Sequence, residues 1–163
     1  MTDLTSWRTE VWHPLFVHFP IAILLFATVV KVLSLIIKPP NAFFWQRAAS
    51  LMLYVGVVFA WISLYTGDLA DGYVSRNLCD PTILKDHEIS AYYLNYLFSA
   101  AAVLNLGLQT ELIKFLPRLL HLLVALVMVT GTYFLILTGH SGAQVVYEQA
   151  GGVNVPSEDC AGF

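Results

Sequence analysis

The five histidines are the residues of this sequence best placed to do chemistry. His13, His18, His87 and His140 fall at one end of long apolar runs, and His121 falls at the other end, three residues after Arg118. Neutral imidazole is the commonest metal ligand and a standard axial ligand of haem iron. Ionisable groups in or beside membrane spans are rare and tend to mark functional sites. Two imidazoles at one depth on two helices suit a b-type haem; His18 with His87 is the first pair, His140 is the alternative to His87, and His13 is a further cofactor-binding candidate. Three imidazoles, His18, His87 and His140, suit copper or zinc, with Asp68 and Asp86 as carboxylates behind them. Plainer roles exist for each. His13 can cap a helix, His18 can bond a backbone carbonyl, and His87 between Asp86 and Glu88 can be a solvated helix start. His140 can meet the last carbonyls of a helix, and His121 can be interfacial.

The elements that must position these residues are apolar and long. Hydrophobic residues make up 58% of the 163 residues and charged residues 12%, with mean hydropathy +0.70. A soluble domain carries about 25% charged residues, so the composition demands a bilayer. A spanning helix needs about 20 mostly apolar residues. Runs over 15–37, 48–65, 89–108 and 119–138 meet that length, and in lipid such runs must be helices. The expectation is a single all-α domain, residues 1–163: an integral membrane four-helix bundle with a loop over 67–88 and a tail over 139–163. Lys31 near the end of the first run is expected to snorkel to the interface. Lys38-Pro39-Pro40-Asn41, Thr66-Gly67-Asp68 and Gly139 read as stops, and Pro14 suits a first-turn position. The first run does not have the form of a cleavable signal peptide. No internal repeat and no low-complexity stretch stands out.

Four spans place both termini and the 67–88 loop on one side, side A. Lys31, Lys38, Arg47, Lys114 and Arg118 lie toward side B, against Arg8, Arg76 and Lys85 on side A; of the 11 acidic residues only Glu111 lies toward side B. The positive-inside rule favours side B as cytoplasmic, which makes side A periplasmic or extracellular; the expectation taken forward is periplasmic. Both cysteines, Cys79 and Cys160, fall on side A, where an oxidising compartment would allow a disulfide between loop and tail. No Cys-x-x-Cys-His is present, which excludes covalent c-type haem on this chain. Trp7, Trp12, Tyr73, Tyr92 and Tyr147 on one side and Phe43, Phe44 and Trp45 on the other form interfacial belts. Gly56, Ala60, Ala100, Ala101, Ala102 and Gly107 offer small faces for close helix contact. Asn95 and Asn105 are expected to face the bundle interior. A net charge of −3 without a basic patch argues against nucleic acid, and no Gly-x-Ser-x-Gly nucleophile motif is present.

From His13 to Ile21 the sequence reads His-Pro-Leu-Phe-Val-His-Phe-Pro-Ile, which closely resembles the opening motif of the DUF2231 family of bacterial four-helix membrane proteins. Thr66-Gly67-x-x-Ala70-Asp71, His87 with Asn95, and the stretch Gly139 to Val155 are similar to that family too. The departures are Ala143 and Asn154, where the family more often has glycine. The resemblance covers nearly the whole chain and implies a bacterial inner-membrane protein associated with redox modules. Together with the histidines it leads to the expectation of a membrane-embedded haem protein. It would be an electron-transfer or accessory subunit rather than a stand-alone enzyme, with haem b near the periplasmic face, Arg8, Arg76 or Lys85 meeting the propionates, and a periplasmic or membrane redox partner protein. Two alternatives are a copper or zinc site at the same face, and a non-catalytic structural subunit of a larger respiratory or photosynthetic membrane complex.

Overall fold

The computed structural model describes residues 9–110 and 116–151. Its helices are α1 (Thr9–Ser34), α2 (Asn41–Val74), α3 (Pro81–Gln109) and α4 (Pro117–Tyr147), with a 3-10 turn at Ser75–Asn77. Three of them, α1, α2 and α4, are long and apolar enough to cross a membrane. The third helix is less apolar because it carries Asn95, Asn105 and several tyrosines, but its 29 residues run the same depth as α1. The helices are adjacent in chain order around the bundle; α1 packs closely on α2 and α3 on α4, while contact between these two hairpins is sparser.

Helices α2, α3 and α4 overrun the bounds expected from the sequence, while α1 begins earlier and ends at Ser34, short of the expected residue 37. Residues 67–74 belong to α2, residues 81–88 to α3 and residues 139–147 to α4, so most of the expected 67–88 loop is helical. Glycine in a helix costs only about 1 kcal/mol relative to alanine, and Gly67 and Gly142 recover it by letting side chains of the neighbouring helix approach. The short remaining connection is well specified. Asp80 caps α3, its carboxylate accepting from the Thr82 amide at 2.9 Å, and Pro81 occupies the first turn. Gln149, just past α4, accepts from the Asp80 amide through Oε1 at 2.9 Å. Cys79 in this connection is disulfide-bonded; Cys160, its expected partner, lies outside the described residues.

The bundle is built on an internal repeat that the sequence does not advertise. His13, Leu24 and Lys31 on α1 are matched by His87, Phe98 and Asn105 on α3, at the constant separation of 74 residues that also divides Lys31 from Asn105. Gly56, Ser63, Thr66 and Gly67 on α2 correspond to Gly131, Thr138, Ser141 and Gly142 on α4, one residue further apart. The contacts correspond as well. A Cβ on Gly56 would lie 2.5 Å from Leu24 Cδ2, and one on Gly131 would lie 2.8 Å from Phe98 Cε2. Each hairpin therefore closes by seating one large side chain on one glycine, the close packing that holds helices together in lipid. Below these pairs Ala27, Leu53, Ala101 and Met128 complete a dry middle layer.

Of the two intramembrane asparagines, Asn105 is fully engaged, while Asn95 Oδ1 has no hydrogen-bond partner among the described residues. Asn105→Leu leaves Lys31 with His121 as its remaining partner among the described residues and should destabilise the protein by about 1.5–3 kcal/mol, the range for bonds to charged groups. Asn95→Leu removes an unpaired carbonyl and should be neutral or stabilising. Thermal unfolding of both variants in one detergent checks this; equal destabilisation by the two would refute it.

Candidate functional site

The repeat brings two of the five histidines together at side A. His13 of α1 and His87 of α3 face one another with ring centroids 6.0 Å apart and planes at 85°. Each ring is fixed by the other helix of its own hairpin. His13 Nδ1 donates to the Ser63 carbonyl at 2.9 Å, and His87 Nδ1 donates to the Thr138 carbonyl at 2.9 Å, with Ser141 Oγ at 3.3 Å. A carbonyl can only accept, so both Nδ1 atoms carry hydrogen. The same two carbonyls also accept from Thr66 Oγ1 at 3.0 Å and Ser141 Oγ at 3.2 Å. Among the described residues nothing hydrogen-bonds Nε2 of either ring. In neutral imidazoles of this tautomer Nε2 is a lone-pair donor, and an Nδ1–H bonded to a backbone carbonyl is the arrangement that orients a histidine ligand.

Glycine makes the arrangement possible. A Cβ on Gly67 would lie 3.1 Å from His13 Cε1, and one on Gly142 would lie 2.9 Å from His87 Cε1. Gly142→Val should push the His87 ring off the Thr138 carbonyl and cost about 1–3 kcal/mol, as overpacking does. The His87 ring signals of [15N]histidine-labelled protein would report it; unchanged signals would sink the expectation. Two buried polar atoms have no hydrogen-bond partner among the described residues: Ser63 Oγ on α2 and Asn95 Oδ1 on α3, the latter about two turns from His87. The Asn95 amide bends back to the Ala91 carbonyl (2.9 Å), about one turn from His87.

The other histidines lie elsewhere. His18 is exposed on α1; five residues at about 100° each turn it away from the face that carries His13. His140 is exposed on α4, two residues and so about 200° from the inward Gly142. Neither begins nor ends its helix, and Pro14 lies inside α1 rather than at its start. The ring beside His87 is thus that of His13, which sequence spacing had placed just before the helix, and not that of His18 or His140. The signal available was the repeated Ser63-x-x-Thr66-Gly67 and Thr138-x-x-Ser141-Gly142, each opposite a histidine. Asp68 lies near His13 and is exposed, as are Asp86 and Lys85; Lys85 pairs with Glu88 at 2.6 Å. Arg76 is exposed, and Arg8 lies outside the described residues. No group of three or more His, Cys, Asp or Glu able to hold a metal ion occurs among the described residues.

At side B, Lys31 does not snorkel. It is 1% exposed and bonds Asn105 and His121 inside the bundle, because α1 turns it toward α3 at the same register as the pair it mirrors.

A helical membrane bundle made of two matched hairpins, with an imidazole pair where they meet at one end, is the class of protein that fold and site define. The chain belongs to the DUF2231 family of predicted membrane proteins, whose family model matches residues 10–155. Comparison with curated proteins and with solved structures finds no match.

Proposed function

We propose that this protein is a membrane-embedded b-type haem protein, an electron-transfer subunit in which His13 and His87 would hold the haem. The observation that carries the reading is the imidazole pair itself. Its two rings come from different hairpins, each is held in the Nδ1–H tautomer by a backbone carbonyl, and among the described residues nothing hydrogen-bonds Nε2 of either ring. Structural zinc needs four protein ligands and catalytic zinc three, whereas two imidazoles would be enough for the protein to hold a b-type haem. The donor set therefore fits haem better than a bare copper or zinc ion.

Bound haem would supply one-electron redox chemistry at the side-A face. The chain's own residues do the rest. Ser63 and Thr138 hold the tautomer and raise imidazole basicity, while Leu24, Phe98 and the layer beneath them keep the interior dry, which tunes the potential. Lys38, Arg47 and Arg118 remain at side B while the described acidic residues lie at side A, which supports a periplasmic side A in a bacterial inner membrane. A periplasmic or membrane redox partner would then meet the side-A face, within a larger complex.

The test is a dithionite-reduced minus air-oxidised absorption spectrum of detergent-purified protein. A sharp reduced b-type α band supports the reading. A featureless spectrum from folded protein overturns it and leaves a structural role in a membrane complex, or a copper or zinc site to be sought by elemental analysis.

A further inference from the structure

A second polar centre occupies the opposite end of the bundle, 18 residues along α1 from His13 and hence about 27 Å away. Lys31 Nζ lies 3.1 Å from Asn105 Oδ1 on α3 and 3.1 Å from His121 Nδ1 on α4. Asn105 Nδ2 donates to Ser50 Oγ at 2.8 Å and to Tyr54 Oη at 2.9 Å, both on α2. Ser50 donates onward to the Gln46 carbonyl at 2.7 Å and Tyr54 to Gln109 Oε1 at 3.4 Å. The neighbours of Lys31 on α2, α3 and α4 are thus hydroxyl, amide and imidazole; among the described residues no carboxylate pairs with it. Arg47 and Arg118, one turn outward on α2 and α4, are exposed, and Glu111 and Lys114 lie outside the described residues.

Hydrogen-bond directions fix most of this network but not all of it. Both Asn105 N–H groups are committed to α2, so its oxygen accepts and Lys31 donates there. Toward His121 either partner can donate. Of the two, Lys31 is enclosed and only His121 reaches the surface. The repeat sharpens the contrast. At side A the matched positions of α1 and α3 both carry histidine; here they carry a lysine and a fixed amide acceptor. The α2 counterpart of His121 is Gln46, so the titratable pair occurs once.

We propose that Lys31 and His121 form an intramembrane binding site for one exchangeable proton, filled and emptied from side B. In the filled state the Lys31 ammonium donates to Nδ1 and the imidazole carries its hydrogen on Nε2. On emptying, the Nε2–H bond breaks and its proton passes to water at side B. The Nζ–H bond to the ring breaks as an Nδ1–H bond forms, leaving a neutral amine that accepts from Nδ1 and still donates to Asn105. The pair loses one proton and one unit of charge, and no heavy atom need move. Proton relays are an established use of ionisable groups inside membranes, and the site is independent of any cofactor at side A.

The experiment is 15N NMR of [15N]histidine-labelled full-length protein in lipid nanodiscs, across the pH range in which the protein stays folded. The wild type should switch His121 between its two neutral tautomers, from Nε2–H to Nδ1–H as pH rises, without populating imidazolium on the way. Lys31→Met should abolish the switch and let His121 titrate as an ordinary histidine. A wild-type His121 that titrates directly to imidazolium, or that keeps one tautomer throughout, overturns the proposal without recourse to any variant.

Discussion

His13→Ala and His87→Ala, each alone, will remove the reduced b-type band from the purified protein, whereas His18→Ala and His140→Ala will leave it in place. Partners behind a ligand are worth about 10–100-fold in affinity, and loss of a ligand itself should cost at least that in haem retained through purification. The contrast follows from helix geometry. His13 meets His87 between the hairpins, while His18 and His140 are exposed on outward faces. A spectrum lost in His18→Ala and kept in His13→Ala would show that the ligands are not the pair seen here. Ser63 and Thr138 act through backbone carbonyls, so their side chains can be altered without removing the bonds to the rings.

Phe98→Ala should cost about 3–5 kcal/mol, the range for emptying a buried aromatic site. Phe98 is 0% exposed and packs on the Gly131 backbone at the centre of the α3–α4 hairpin. Gly131→Leu alone should also destabilise, by about 1–3 kcal/mol, because its side chain would collide with that ring. Combining the two returns apolar volume to the site, so the double variant should be more stable than Phe98→Ala alone. Unfolding of the three variants by denaturing detergent in mixed micelles gives the comparison. A loss below about 0.5 kcal/mol for Phe98→Ala, the usual size of a surface effect, would mean that the hairpin does not depend on this contact.

Composition alone was enough for the architecture, because an apolar chain this poor in charge has few solutions in lipid other than a helix bundle. The motif His13-Pro14-Leu15-Phe16-Val17-His18-Phe19-Pro20-Ile21 identified the family. Helix ends were less legible. Gly67 and Gly139 look like terminators in a linear string, yet α2 and α4 run through them; Gly67 and Gly142 sit opposite imidazoles that approach the bare backbone closely. Lys31 carries a charge that hydropathy pushes toward water; the register between α1 and α3 delivers it to Asn105 and His121 instead.

The internal repeat explains why the site was half visible. Its two copies share histidine and glycine at the contacts, but leucine is matched by phenylalanine, lysine by asparagine, and serine by threonine. The remaining likeness is one of position, and it becomes evident when the contacts are seen to repeat. Sequence by itself determined that the chain is a membrane helix bundle with histidines gathered toward one end, since hydropathy and residue spacing are properties of the string. Which histidines meet was decided only by the tertiary structure. The rotation of each helix about its axis is set by packing a large side chain on a glycine of its hairpin partner, and that rotation turns His13 inward toward His87 and His18 and His140 outward.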